Sequence, residues 1–437
     1  MSNILLITVG GSHQPILTSI QTLDPERVIF ICSDGAKGSK SQVIGEGTPC
    51  EVRRGTELVT RHPNIPVQLQ LEDKFNPEQD LVLLQDPDSL SECYSAIAEK
   101  IRLLKRENSK QLQLFADYTG GTKTMSLALG LVALDYDLSL YLTTSATREN
   151  LFRVERNEST GKAPTSSLFV ERIIEQVLPN FLKQYNYPAA IAELKRILKT
   201  LELSSEQNQR VRQILTYCEG LDAWDRFDHG AAAERLAPFM RDAQALGLFL
   251  KRIIGSRAAI DSEFQDRKGI QGHGYELVED LLLNAERRVA QARYDDAVGR
   301  LYRALELLAQ IRLQEAYEIK TENVNIDDLP EHLRSQYAEM QKQQGGKLKL
   351  ALRNSYELLC QLPDDPLGEL YQAHREKILS ILFVRNGSLF AHGFKPIAVD
   401  DYQKFHQIIT HLVHTTISKP DNLKDQLAIQ FPTILPI

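Results

Sequence analysis

The chain has 437 residues, a formal net charge of −7 and a pI near 5.9, a length that exceeds one ordinary core and implies two or three domains. Hydrophobic residues make up 42% and charged residues 25% of it, the balance of a globular chain rather than a disordered or fibrous one. No segment is a basic arm, which excludes tight non-specific duplex binding through a broad cationic face but leaves room for a local phosphate pocket.

Residues 1–165 read as alternating strands and helices. NILLITVGG, RVIFICS, QLQLFADYTGG and LSLYLTT are short apolar runs, most of them ending at Gly, Ser or Asp. Between them, Tyr94, Ile97, Ile101 and Leu104 recur at helical spacing. Strands buried on both faces and separated by helices imply a mostly parallel, Rossmann-like α/β sheet, whose ligands bind beyond the carboxyl ends of the strands.

From 166 onward the pattern is helical almost without interruption. Helices are expected over 169–182, 189–201, 206–218 and 236–253, making 166–270 an all-α connector. An aromatic followed three positions later by alanine occurs at Tyr187/Ala190 and Tyr294/Ala297. Phe227 nearly repeats it, but Gly230 stands in the third position and Ala231 follows. The unequal intervals argue for ordinary helix packing over a regular solenoid. The polar stretch 261–274 reads as a boundary loop. Beyond it come helices over 275–292 and 294–316, a polar insertion over 321–346, and helices over 348–362, 371–383 and 402–417. A C-terminal bundle of four or five helices over 271–437 fits.

Two constellations carry chemistry. In DYTGGTKTMS, residues 117–126, a strand ends, Gly120 and Gly121 permit a tight turn, and Thr122 opens a helix. Free N–H groups at that helix start suit an anion, Lys123 adds a charge, and Thr119, Thr122 and Thr124 add hydroxyls. It is not a Walker A loop, because the four residues between the glycines of that motif are absent. VGGSHQP places Gly10, Gly11, Ser12, His13 and Gln14 at another strand end, and ICSDG places Ser33 and Asp34 at a third. Read alone, the first constellation is also a plain strand-to-helix turn, and His13 a loop hydrogen-bonder.

The second constellation is RNGSLFAHG, residues 385–393. Arg385 is a fixed cation, and seven positions later His392 is a titratable imidazole. Metal-free RNA cleavage needs a base for the 2′-hydroxyl, an acid for the 5′-oxygen and a cation on the phosphorane-like transition state. In a straight helix that spacing leaves the two groups on one side but about 10 Å apart along the axis. Gly387, Ser388 and Gly393 offer a way to distort the helix end. Taken alone, the string also reads as a surface arginine and a packed histidine.

The five cysteines, Cys32, Cys50, Cys93, Cys218 and Cys360, are scattered and never spaced as C-x-x-C, which argues against a disulfide framework or a cysteine-built zinc site. His411 and His414 lie three apart, with no clustered carboxylates to complete a site, so no structural metal is expected. The N-terminus lacks a basic n-region, and the most apolar long stretch, 127–142, is interrupted by Asp135 and Asp137 and too short to span a bilayer. A cytoplasmic protein without membrane association is expected.

TVGGS and DYTGGTKT together resemble the CARF sensor domain of type III CRISPR ancillary proteins, and RNGSLFAH resembles the HEPN ribonuclease signature of Arg, four to six residues, then His. The pairing in this order is similar to the CRISPR-associated CARF–HEPN ribonucleases. That resemblance implies a CARF-like sensor at 1–165, a helical connector at 166–270 and a HEPN-like domain at 271–437. It implies a homodimer whose sensor binds cyclic oligoadenylate, the tetra-adenylate ring favoured over the hexa-adenylate, and whose nuclease cleaves single-stranded RNA without metal. Carried over by position, Gly10, Gly11, Ser12, His13, Gln14, Ser33, Asp34, Thr119, Gly120, Gly121, Thr122 and Lys123 become ligand contacts. Arg385 and His392 become the catalytic pair, with Asn386 a polar supporter. Two other readings stay open: a non-catalytic nucleotide-sensing regulator, and a ring nuclease that degrades the cyclic messenger itself.

Overall fold

The computed structural model describes all residues except 1, 36–37, 55–56, 108–111, 150–152, 164, 262–263, 265–267, 418–427 and 436–437. It divides into two compact units, Met1–Phe169 and Val170–Ile437. Part of the loop expected over 261–274 lies outside the described residues.

The first unit is built in chain order from β1 (Ser2–Thr8), α1 (Gln14–Leu23), β2 (Arg27–Ser33), α2 (Ser41–Ile44), β3 (Cys50–Arg54), β4 (Glu57–His62), α3 (Ile65–Leu69), β5 (Leu81–Leu84), α4 (Leu90–Glu107), β6 (Leu112–Asp117), α5 (Lys123–Tyr136), β7 (Ser139–Glu149) and β8 (Arg153–Lys162). Six strands form one sheet in the order β5-β2-β1-β6-β7-β8. The first five run parallel, and β8 pairs antiparallel with β7. The sheet is therefore mixed, with its parallel part as expected from the apolar runs. Leu5, Leu6, Val28 to Cys32 and Ala116 are fully buried, because helices cover both faces of the central strands. In α4, Ile97, Ile101 and Leu104 form the buried stripe their spacing predicts, but its first member is Cys93, with Tyr94 only half-buried beside it.

Four strands escape the sequence reading. β5 has only four residues, too few to show a period. β8, RVERNESTGK, is polar throughout. β3 and β4 form a separate hairpin, and β4 is exposed along nearly its whole length, so no apolar alternation marks it.

In the second unit a single hydrophobic core runs from Val170 to Phe431 and includes residues on both sides of position 270. The expected helix over 236–253 is instead three pieces: His229–Leu236, a 3-10 turn at Ala237–Phe239, and Gln244–Ile260. Pro238, which has no N–H and clashes with the preceding turn, accounts for the break. The polar insertion over 321–346 contains a helix, Glu331–Gln343, held by buried Leu333 and Tyr337. Among the described residues, 271–437 therefore carries six helices rather than four or five: Glu276–Val289, Tyr294–Tyr317, Glu331–Gln343, Leu352–Leu359, Pro366–Asn386 and Val399–Thr416.

The aromatic–alanine repeat becomes regular once the backbone is seen. Tyr185, Phe227 and Ala292 all take left-handed φ, of 51°, 63° and 56°. Each is followed by the N-cap residue of a helix, Asn186, Asp228 and Arg293. A ring comes next (Tyr187, His229, Tyr294), and three positions later a fully buried alanine (Ala190, Ala232, Ala297). The middle copy is centred on His229, not Phe227. An imidazole there takes the place of the phenol, which hid the register from an aromatic search.

Candidate functional sites

In the first unit, strand order reverses between β1 and β6, so their two carboxyl-end loops diverge around a crevice. Those loops touch through glycine backbone. A Cβ on Gly10 would stand 2.6 Å from the Gly121 nitrogen, and one on Gly120 would stand 2.3 Å from the Thr8 carbonyl. Thr8 ties the loops further, its hydroxyl donating to the Gly120 carbonyl at 2.7 Å. Below the crevice Asp117 is buried, accepting from the Ser19 hydroxyl at 2.6 Å, the Thr119 N–H at 2.8 Å and the Thr143 hydroxyl at 3.3 Å. Burial pushes its carboxyl above the usual range, against the pull of those donors.

The ends of β1, β2 and β6 lie along one edge of the sheet, and the residues singled out from sequence divide there into two sets. Gly11, Ser12, Gln14 and Lys123 are exposed, at the starts of α1 and α5. The others are already engaged. The Thr122 hydroxyl accepts from the Met125 N–H as N-cap of α5 and donates to the Pro87 carbonyl at 2.8 Å. The Thr119 hydroxyl accepts from the Thr143 N–H at 2.7 Å. Thr122, which donates inward, is therefore not the spare donor the sequence suggested. Ser33 exchanges hydrogen bonds with Ser39, and Asp34 pairs with Lys40 at 3.3 Å. The Gly35 N–H, ahead of Gln85 and Lys40, holds the Asp34 carboxyl below its usual range, so it is an anion on the rim. His13 is buried, 5.8 Å ring to ring from His62. Burial first, and His62 second, lower its pKa, so its imidazole is neutral near pH 7. Gln42, which sequence reasoning missed, donates to the Gly10 carbonyl at 2.6 Å; nothing in its four-residue helix marks it.

Among the described residues, what remains open for an anion is the backbone of Gly11 and Ser12, the start of α5 and one exposed cation, Lys123. Lys123→Ala should therefore weaken the binding of a polyanion to this rim by roughly ten- to a hundredfold, the loss of a charge-assisted hydrogen bond. Titration calorimetry with a polyanionic oligonucleotide checks this, and an unchanged affinity in the folded variant refutes it.

In the second unit the helix Pro366–Asn386 ends at Asn386, with Gly387 as its C-cap. The chain then folds back on itself. The His392 N–H donates to the Asn386 carbonyl at 3.1 Å, Gly393 N–H to the Ser388 carbonyl at 3.2 Å, and Lys395 N–H to the Gly387 carbonyl at 3.0 Å. A Cβ on Gly393 would meet the Gly387 oxygen at 2.2 Å, so only glycine allows the closure. The straight-helix separation thus does not apply: the turn brings the main chain of His392 back to the helix end that carries Arg385. The Arg385 guanidinium lies 4.2 Å over the Tyr302 ring and donates to the Asn386 Oδ1 at 3.2 Å. Tyr302 sits on the helix Tyr294–Tyr317, far away in sequence, and no spacing rule could have found it. His392 is exposed. The same helix end and turn carry Phe383, Leu389, Phe390 and Phe394, exposed by 79%, 64%, 50% and 89%. A cation, an imidazole and an open apolar collar are what a half-site for phosphoryl transfer would need.

Among the described residues no group of three or more His, Cys, Asp or Glu side chains is placed to hold a metal ion, and no helix is long and apolar enough to cross a membrane.

Residues 267–416 match the model of the family described as the Csm6 HEPN domain. No curated protein matches. Among solved structures, the chain is similar to Enterococcus italicus Csm6 bound to cyclic hexa-2′-fluoro-hexa-dAMP. The TM-score is 0.57 at 12% identity, covering 98% of this chain and 95% of that one.

Proposed function

We propose, from the match of residues 267–416 to the Csm6 HEPN domain and the likeness in fold to Enterococcus italicus Csm6, that the chain is a homodimeric CARF–HEPN endoribonuclease of type III CRISPR defence, acting in the cytoplasm and switched on by cyclic oligoadenylate. The observation that carries this reading is the turn 387–393, which presents Arg385 and His392 inside an exposed aromatic collar. The sensor is the unit with the glycine-lined crevice, residues 166–270 are the connector, and 271–437 form the HEPN-like nuclease.

One copy supplies one imidazole, and the reaction needs a base and an acid. Two copies related by a two-fold axis supply both. One His392 takes the proton from the RNA 2′-hydroxyl as its oxygen attacks phosphorus, and the partner's His392 gives a proton to the departing 5′-oxygen. Arg385, its plane fixed on Tyr302, faces the charge that builds on the phosphorane. The products are a 2′,3′-cyclic phosphate and a 5′-hydroxyl, with every proton supplied by protein. The ligand contacts are those exposed on the crevice rim, with Gly10, Gly120 and Gly121 as the floor.

Labelled single-stranded RNA incubated with tetra- or hexa-adenylate rings tests the reading. The tetra-adenylate ring is the expected activator, and the six-membered ring held by the Enterococcus protein makes hexa-adenylate the necessary comparison. Cleavage should need a ring and persist in EDTA. Loss in chelator with rescue by magnesium or manganese overturns the metal-free mechanism. Cleavage with neither ring size overturns the ribonuclease.

A further inference from the structure

The helical unit contains a cavity of about 760 Å³ lined by no residue of the Arg385 turn, within the roughly 300–1,000 Å³ of known ligand clefts. Among the described residues six cations line it: Arg226, Arg257, Arg300, Arg303, Lys320 and Lys347. Three of them are matched, Arg226 by Asp222, Arg257 by Asp261 and Arg303 by Glu306. Arg300 is half-buried, donating its Nε to the neutral Asn284 amide at 2.8 Å. Lys320 and Lys347 are exposed, and none of these three has an ion-pair partner among the described residues.

Among the described residues three carboxylates also line the cavity, Asp225, Asp261 and Glu322. Asp225 is already paired from behind, with Arg287 at 2.8 Å and with Arg288. Asp261 is matched by Arg257. One carboxylate is thus left against three unmatched cations, inside a protein whose net charge is −7. Concentrating positive charge in one cavity of an acidic chain favours a polyanion. Phe227 adds an aromatic ring to the same wall, the combination that single-stranded nucleic acid uses for phosphate and base.

Location selects the occupant. Arg303 follows Tyr302 in the chain, and Tyr302 carries Arg385. Successive helical side chains diverge by about 100°, so the cavity and the Arg385 turn occupy neighbouring faces of one helix. We propose that this cavity is an accessory track for the single-stranded RNA substrate, holding its phosphates beside the cleavage site. The proposal rests on the ribonuclease reading above.

The test is the double charge reversal Lys320→Glu with Lys347→Glu, compared with Lys320→Arg with Lys347→Arg. Binding of a long labelled single-stranded RNA is followed by anisotropy across salt, and cleavage of that RNA is compared with cleavage of a tetranucleotide. The Glu pair should weaken long-RNA binding about ten- to a hundredfold and flatten the log–log salt slope by about 1.4, roughly 0.7 for each lost phosphate contact. KM for long RNA should rise with kcat intact, the tetranucleotide should be cleaved as by wild type, and the Arg pair should match wild type throughout. Unchanged long-RNA affinity and slope in the Glu pair overturn the track, as does an equal loss for both substrates or in the Arg pair. Wild-type protein that binds long RNA with the full salt slope but cleaves nothing with any ring fails the ribonuclease reading and leaves the track standing.

Discussion

Replacing His392 with alanine should lower RNA cleavage by roughly 10²–10⁴-fold at every messenger concentration, the usual contribution of a positioned proton-transfer group. The side chain is exposed, so its removal opens no cavity. The turn itself is held by the His392 main-chain N–H on the Asn386 carbonyl, and alanine keeps that bond. The lesion is therefore chemical, and the melting temperature should not move. Messenger binding should stay at its wild-type level, because the rim of Gly11, Ser12 and Lys123 lies in the other compact unit. Initial rates across a messenger titration, with binding measured alongside, separate the possibilities. A merely right-shifted curve would place His392 in activation and not in catalysis, and the division of labour between the two units would be wrong.

The contrast between His392 and its surroundings also shows what a sequence can carry. Period and composition expose strands buried on both faces, such as β1, β2 and β6, because every residue of such a run must be apolar. They expose the glycines at the strand ends too, since a turn without Cβ leaves a visible mark. β8 and β4 were invisible for the converse reason: one is polar along its length and the other solvent-exposed, so their hydrogen bonds, not their side chains, define them. The break at Pro238 was legible in principle, but the apolar spacing on both sides outweighed it.

At the candidate sites the same division holds. Arg385 and His392 are close in sequence, and the glycines between and after them signalled a distorted helix end. The structure supplies the form of that distortion, a fold-back closed by Gly393 against Gly387. Tyr302 and Gln42 reach their sites from elsewhere in the chain, and only tertiary packing brings them there. The hydroxyl of Thr122 illustrates the opposite error. Residue type suggested a free donor, whereas the fold already uses it to fix the turn. Donor inventories drawn from sequence overcount, because a strand-to-helix turn must satisfy its own backbone first.

Substituting Phe383 and Phe394 together with serine should convert the protein to a monomer and remove its ribonuclease activity at ordinary working concentrations. The two rings are 79% and 89% exposed, more than a soluble monomer has reason to leave beside a reactive turn. Each contributes about 1.5–3 kcal/mol when fully buried. A two-fold contact would bury both rings of both copies, an upper limit of roughly 6–12 kcal/mol, part of which is consumed by the entropy of association. Dissociation should consequently be favoured by at least about a hundredfold, or ~2.7 kcal/mol. Within one copy the rings make few packing contacts, so the variant should fold and melt as wild type does, which distinguishes a lost interface from a lost fold. Activity should return as protein concentration rises, since mass action restores the composite site. Sedimentation across a concentration series, read beside the cleavage rate, decides it. If the double variant stays dimeric and fully active, the collar around Arg385 and His392 is not where two copies meet, and the second proton-transfer group must come from within one chain.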